Sequence, residues 1–153
     1  MPDKKELKVS AIKNGTVIDH IPAKDLFKVV SILALDKIDN SFTLGNNLES
    51  AKLGKKSIIK ISDKFFADEE ISKIALVAPA AKLNIIRDYQ VVEKKIVEPP
   101  KSDVIGIAKC MNPKCITNVD KVTTRFTVVP GGELALKCHY CEKITDRDNI
   151  VIF

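Results

Sequence analysis

Apolar residues recur in this chain at two spacings: every second position, and every third or fourth. Leu7-Lys8-Val9-Ser10-Ala11-Ile12 alternates and then ends on small and apolar residues, which predicts a strand. Asn14-Gly15 is a turn dipeptide, and Thr16-Val17-Ile18-Asp19 resumes in strand-favouring residues. Pro22 falls at or just before a first helical turn, where its missing N–H costs nothing. From Ala23 to about Leu35, the residues Leu26, Phe27, Val30, Leu33 and Ala34 share one helical face. Asp36 to Asn40 is polar and ends that helix. Ser41–Leu44 alternates as a strand, Gly45 to Lys56 reads as a Gly-, Asn- and Lys-rich loop, and Ser57–Ile61 is a short β-rich run. Asp68 is the expected N-cap of a second helix, with Glu69 and Glu70 at the positive end of its dipole. Ile71, Ile74, Ala75 and Ala78 give that helix an apolar face and Pro79 stops it. Leu83–Arg87 and Tyr89–Glu93 predict two strands with a tight bend at Asp88.

The resulting order over residues 7–95 is strand, helix, strand, strand, helix, strand, plus one further strand. That is the order of an α+β, ferredoxin-like split βαβ sandwich, with helices on one face of an antiparallel sheet. Pro99-Pro100 then interrupts the chain with a stiff, extended connection. Two domains are expected, residues 1–98 and 103–153, with 99–102 as linker. In the second, Val104–Ala108, Thr123–Val129, Glu133–Lys137 and Asn149–Phe153 predict strands, with Gly131-Gly132 turning between the middle two. About fifty residues bury little apolar surface, so this small all-β part needs another source of folding energy.

The cysteines supply a candidate. All four lie in two close pairs, Cys110/Cys115 and Cys138/Cys141, with twenty-two residues between the pairs. Four thiolates from two tight turns suit a tetrahedral Zn²⁺, and with four cysteine ligands no coordination position stays open, so such a zinc is structural. Two disulfides or four free thiols are the alternative. His139 sits between Cys138 and Cys141 and reads as a solvated turn residue. Lys109, Lys114, Lys137 and Lys143 flank the ligands and offset the charge of a four-thiolate centre.

Composition narrows the function classes. The 153 residues are 45% hydrophobic and 29% charged, with no apolar run long enough to cross a membrane. Met1–Glu6 lacks an apolar signal core, which points to the cytoplasm, where thiols stay reduced. The net charge of +5 is spread: the part from Lys101 onward has eight basic residues against six acidic. With 5% aromatics and no Trp, neither a basic stripe nor a base-stacking platform is evident, which argues against nucleic acid. A zinc-ribbon nucleic-acid binder is nonetheless the runner-up class. No Gly-rich phosphate loop, nucleophile elbow or metalloprotease helix occurs, so an enzyme is not expected. A metalloenzyme would need an open zinc position.

The first domain offers polar candidates. Asp19-His20 follows a strand and precedes a helix, and Lys52, Lys55, Lys56, Lys60 and Lys64 form a basic cluster. A basic cleft with one carboxylate suits a nucleoside phosphate; a solvated turn and a wet lysine face explain the same residues.

The segment Ala11-Ile12-Lys13-Asn14-Gly15-Thr16-Val17-Ile18-Asp19-His20-Ile21-Pro22-Ala23 closely resembles the opening of the aspartate carbamoyltransferase regulatory chain family. Gly54-Lys55-Lys56, Ile59-Lys60-Ile61, Ala78-Pro79, Asn84-Ile85-Ile86, Tyr89-Gln90-Val91-Val92 and Leu136–Lys143 match it too, so the resemblance covers nearly the whole chain. The Gly-Thr-Val-Ile-Asp-His-Ile motif joined to this cysteine spacing is highly specific. The resemblance implies a non-catalytic regulatory subunit of pyrimidine biosynthesis. Its first domain would bind nucleoside triphosphates, CTP as inhibitor and ATP as activator, with UTP a further candidate. Its zinc domain would dock on the catalytic chain, and regulatory dimers would join catalytic trimers. Carried over by position, the nucleotide site comprises Val9, Ala11, Ile12, Asp19, His20, Lys60, Asn84, Ile86, Tyr89, Val91 and Lys94. Asn112, Lys114, Glu142 and Lys143 are the expected partner interface. Phe42–Leu44 is the expected edge for pairing across a two-fold.

Overall fold

A computed structural model describes residues 11–131 and 133–153. The strand expected over Leu7–Ile12 lies mostly outside them, as does Val9. Within them the first part of the chain runs β1 (Gly15–Pro22), α1 (Leu26–Ile32), β2 (Phe42–Ser50), β3 (Gly54–Ser62), α2 (Asp68–Ile74), β4 (Lys82–Arg87) and β5 (Gln90–Ile96). The sheet order is β2-β3-β1-β4-β5 and every pairing is antiparallel. This is the split βαβ arrangement, widened by β5 on one side.

Alternation sorts the sheet into two faces. Ile18, Ile59 and Leu83 lie opposite one another on β1, β3 and β4, and all three are fully buried. They share a core cluster with Leu26 and Val29 of α1 and Ile71 and Ile74 of α2. The helices therefore cover this face. Val17 and Ile86, on the opposite face, are buried but stand outside that cluster.

Several local expectations are corrected. Residues 45–56 are not a loop: β2 and β3 form a long hairpin with one extra β2 residue between Gly45 and Leu48. Asn47 takes φ 56° there, and Ser57 Oγ donates to Asn46 Oδ1 at 2.5 Å. Asparagine tolerates the left-handed backbone that a bulge requires, which is why a loop-like composition fits a strand. Phe27 is not on the buried face of α1; it is 67% exposed, while Leu26, Val29 and Leu33 turn inward. Ala67 rather than Asp68 is the N-cap of α2, and its N–H donates to Glu70 Oε1 at 3.1 Å. The helix also ends earlier, at Ile74. Ala75–Ala78 continue in tight turns, with Leu76 N–H on Lys73 O and Val77 N–H on Ile74 O, both 3.1 Å. All four residues are buried, because this segment is packed on every side rather than along one stripe. Finally, Tyr89 belongs to the bend. Asp88 and Tyr89 have φ 49° and 64°, both left-handed, as a two-residue hairpin turn that matches sheet twist requires.

The remainder runs β6 (Val104–Ile105), β7 (Ala108–Lys109), α3 (Ile116–Val119), β8 (Arg125–Val129), β9 (Ala135–Cys138), β10 (Ile144–Asp146) and β11 (Val151–Ile152). β10-β9-β8-β6 make one sheet and β11-β7 a second ribbon. The strand expected over Val104–Ala108 is broken at Gly106, whose φ of +70° lets the chain pass from one sheet to the other. One turn of helix, α3, interrupts what the sequence suggests is purely β. Buried Val104, Ala108, Phe126, Leu136 and Ile150 join the same continuous core as the helices and Ile18.

Candidate metal centre and effector face

The two cysteine turns meet at the end of β7 and between β9 and β10. Their four sulfurs all lie within 4.8 Å of one another. Cys110 Sγ is 3.6 Å from Cys141 Sγ, and Cys115 Sγ is 3.7 Å from Cys138 Sγ. A disulfide needs about 2.05 Å. The edge of a tetrahedron built on a metal–sulfur distance of about 2.3 Å is about 3.8 Å. The donor set and its spacing therefore fit a four-coordinate metal rather than two disulfides. His139 is not among the ligands; its exposed ring packs edge-on against Tyr140 at 5.0 Å.

Hydrogen bonds hold the turns in shape. Cys115 N–H donates to Asn112 O at 2.9 Å, and Lys114 N–H donates to Asn112 Oδ1 at 3.1 Å. Asn118 Nδ2 reaches the carbonyls of Cys110 and Asn112 at 2.8 and 2.7 Å. In the second turn Cys138 N–H donates to Lys143 O, and Glu142, at φ 63°, donates its N–H to Cys138 O. Thr117 Oγ1 donates to Cys115 Sγ at 3.3 Å.

Thiol acidity divides along these contacts. Burial pushes Cys110 up to about 12 and also raises Cys138. Burial acts on Cys115 too, but the hydrogen bonds from the Thr117 side chain and backbone outweigh it and hold the thiol at about 7. Cys141 is lowered against its burial by the backbone N–H of Lys143 and by Asn112. Two thiols are thus ready to ionise, and two need a cation to draw off their protons.

Of the expected interface residues, Lys114, Glu142 and Lys143 are exposed at the turns. Asn112 is half-buried and its side chain is spent on the turn itself.

The nucleotide-site candidates are brought together by register. Lys60 on β3 pairs with Val17 on β1, Val17 pairs with Asn84 on β4, and Asn84 pairs with Lys94 on β5. Residues directly opposite share a face, so Lys60, Asn84 and Lys94 all project from the side away from the helices. Asp19 lies two residues beyond Val17 on β1, opposite Lys82. Ile86 pairs with Val91 because β5 carries an extra residue, Val92, between Glu93 and Val91. From Lys60 to Lys94 is three strand spacings, about 14 Å.

Among the described residues, Asp19 is the carboxylate in the middle of this face. Lys56 Nζ pairs with its Oδ1 at 3.0 Å, His20 N–H donates to Oδ1 at 2.6 Å, and His20 Nδ1 stands 3.7 Å from Oδ2. Partial burial lowers the Lys60 ammonium, and the charge of Asp19 partly restores it. Asp19-His20 does not form a turn after the strand, as expected, but a bulge inside β1, with His20 at φ 60°. His20 lines a cavity of about 260 Å³ with Lys52, Leu53, Pro79, Ala80, Ala81, Lys82 and Ile96. At the other end of the face, Tyr89 N–H donates to Lys13 O at 2.9 Å and Asp88 N–H to Asn14 Oδ1 at 3.2 Å. These bonds tie the β4–β5 turn to the segment just after Ala11 and Ile12. Lys56, a member of the expected basic cluster, and Lys82, which the sequence did not single out, complete the basic surround. Lys56 was legible in the Gly54-Lys55-Lys56 cluster, whereas only the β1–β4 register reveals Lys82.

Comparison with known proteins agrees with both halves. Residues 7–98 match the family described as aspartate carbamoyltransferase regulatory chain, allosteric domain. Residues 102–151 match the metal binding domain of the same chain. The aspartate carbamoyltransferase regulatory chain of Bacteroides fragilis is 57% identical over 150 residues, covering 98% of this chain and 97% of the relative. That of Phocaeicola vulgatus is 57% identical over 148 residues, 97% of this chain and 95% of the relative. That of Pyrococcus horikoshii is 54% identical over 148 residues, 95% and 97% respectively. With an open basic sheet face in the part matched as allosteric and four converging thiols in the part matched as metal binding, the chain belongs to the aspartate carbamoyltransferase regulatory chain family and is a regulatory, non-catalytic subunit.

Proposed function

We propose that residues 1–98 sense nucleoside triphosphates and that residues 103–153, joined through 99–102, pass the signal to a catalytic chain. The observation that carries this is the row Lys60–Val17–Asn84–Lys94. It lines up cations and an amide across one sheet face around Asp19. Lys94, with His20, faces the phosphates. Asp19 and Lys60 hold the sugar and base side. Backbone groups near Ile12, Ile86 and Tyr89 read the base edge. Val9, Ala11 and Val91 complete the contact set. CTP inhibits and ATP activates by binding more tightly to one quaternary state than to the other; only that difference shifts the equilibrium.

The metal is zinc, one per chain, held by Cys110, Cys115, Cys138 and Cys141. It fills a structural role, since four sulfurs leave it no open position. The turns it stabilises dock on the catalytic chain through Lys114, Glu142 and Lys143, with Asn112 shaping the first turn. Two regulatory chains pair through the free edge of β2 and so bridge catalytic trimers in the cytoplasm. No nucleic acid is involved: the cysteine half has a charge of only eight against six.

Lys94→Ala tests the sensor. In the assembly with the catalytic chain, CTP binding should weaken at least about tenfold, as expected when a charge-assisted phosphate contact is lost, with zinc content unchanged. Wild-type CTP affinity in that variant removes Lys94 from the site.

A further inference from the structure

The two halves of the chain are joined by an ion pair whose carboxylate is buried. Asp25 ends the short 3₁₀ turn after β1 and is 4% exposed. Arg147 lies in the 3₁₀ turn between β10 and β11, and its Nη2 stands 3.7 Å from Asp25 Oδ2. The same Nη2 donates to Val77 O at 3.4 Å. Lys28 Nζ faces the other oxygen, Asp25 Oδ1, at 3.7 Å, and Lys24 pairs with Asp148 at 3.4 Å on the exposed side.

Two features set this cluster apart from an ordinary ion pair. First, it is unfinished: Asp25 Oδ2 and Arg147 Nε are buried and neither has a hydrogen-bond partner. A separation of 3.7 Å is too long for a hydrogen bond, and a small slide of one half against the other would let the two groups meet. Secondly, both strands that carry the central effector-face residues lead into it. β1 bears Asp19 and runs within six residues to Asp25. β4 bears Asn84, and the chain before it passes through Ala81, Ala80 and Pro79, beside His20, back to Val77.

We infer that Asp25, Arg147 and the Val77 carbonyl form a latch between the sensing sheet and the metal module. Its closure differs between effector-bound and effector-free chains. The inference rests on the sensor assignment above. A buried carboxylate that faces a half-buried guanidinium just beyond hydrogen-bond reach is an element with room for a second, closed position that both sites can bias.

The test uses the full chain assembled with its catalytic partner. Asp25→Asn keeps shape and removes charge. It should retain one zinc per chain and bind CTP within about twofold of wild type, while the CTP effect on carbamoyl transfer shrinks at least about fivefold. Arg147→Gln should do the same, and the double variant should be no worse than either single one. A wild-type CTP response in both single variants overturns the latch. A measurement on the unmodified chain guards against variants that misfold: CTP should change hydrogen exchange at the Arg147–Ile150 amides. CTP that binds without any change there also overturns the latch, and leaves the sensor standing. CTP that does not bind the wild-type assembly at all brings down both.

Discussion

Gly15 shows how little freedom single positions have here. It sits at φ +141°, and an added Cβ would lie 2.0 Å from the carbonyl oxygen of Ile61. Gly15→Ala must therefore push β1 off β3, at a cost of about 2–4 kcal/mol, to be read from denaturant unfolding. The sulfurs give a second prediction. With Cys110 pushed up to about 12 and Cys138 also raised, those two thiols keep their protons near neutral pH in the metal-free cluster, while Cys115, at about 7, is partly ionised. Zinc binding at pH 7 should release about two to three protons, measurable by calorimetry in buffers of different ionisation enthalpy. The sign follows directly: acid restores the thiols, so zinc affinity falls as pH drops and rises as pH climbs. The cysteines themselves were legible from spacing alone. Asn118, which ties two carbonyls of the first turn together, was not, because nothing in a lone asparagine tells a clamp from a solvated side chain.

Among the strands and helices, those with a buried face declared themselves. Ile18, Ile59, Ile61 and Leu83 alternate because the face they share packs against the helices. The β2–β3 hairpin stayed hidden because its outer half has no core to face. Its signal is the Asn46-Asn47 bulge rather than any hydrophobic period. Phe27 misleads for the opposite reason: it is apolar, at helical spacing, and open to solvent. β2 forms one margin of the sheet, and Leu44 there is 36% exposed. Charges on an edge strand block pairing with another chain. On the proposed pairing through β2, Leu44→Lys should convert the dimer to monomers in sedimentation experiments while the proposed CTP binding persists. A dimer of unchanged stability would move the two-fold elsewhere.

Across the two halves the legible and the hidden separate again. The division near Pro99-Pro100 follows from composition, but the interior does not respect it. Ile18, Val29 and Leu76 from one side and Phe126, Leu136 and Ile150 from the other belong to a single buried cluster. Contacts such as Asp25 with Arg147 join positions too distant in sequence for any local period to mark. On the proposed reading, removing zinc with a chelator should release the catalytic trimers, because the ion is what ties the two hydrogen-bonded cysteine turns to each other. Intact assemblies after complete metal loss would rule out that role.

That shared interior ties metal supply to regulation. Ile150 and Phe126 help to seal the apolar layer beneath the first sheet, so a second half that needs its ion to fold would leave that layer wet without it. Such a chain does not become a free-floating sensor that has merely lost its grip. With one interior shared between them, both halves would lose packing at once and expose apolar surface. On the proposed reading, a shortage of the metal would therefore cost the assembly its nucleotide control together with its bridging.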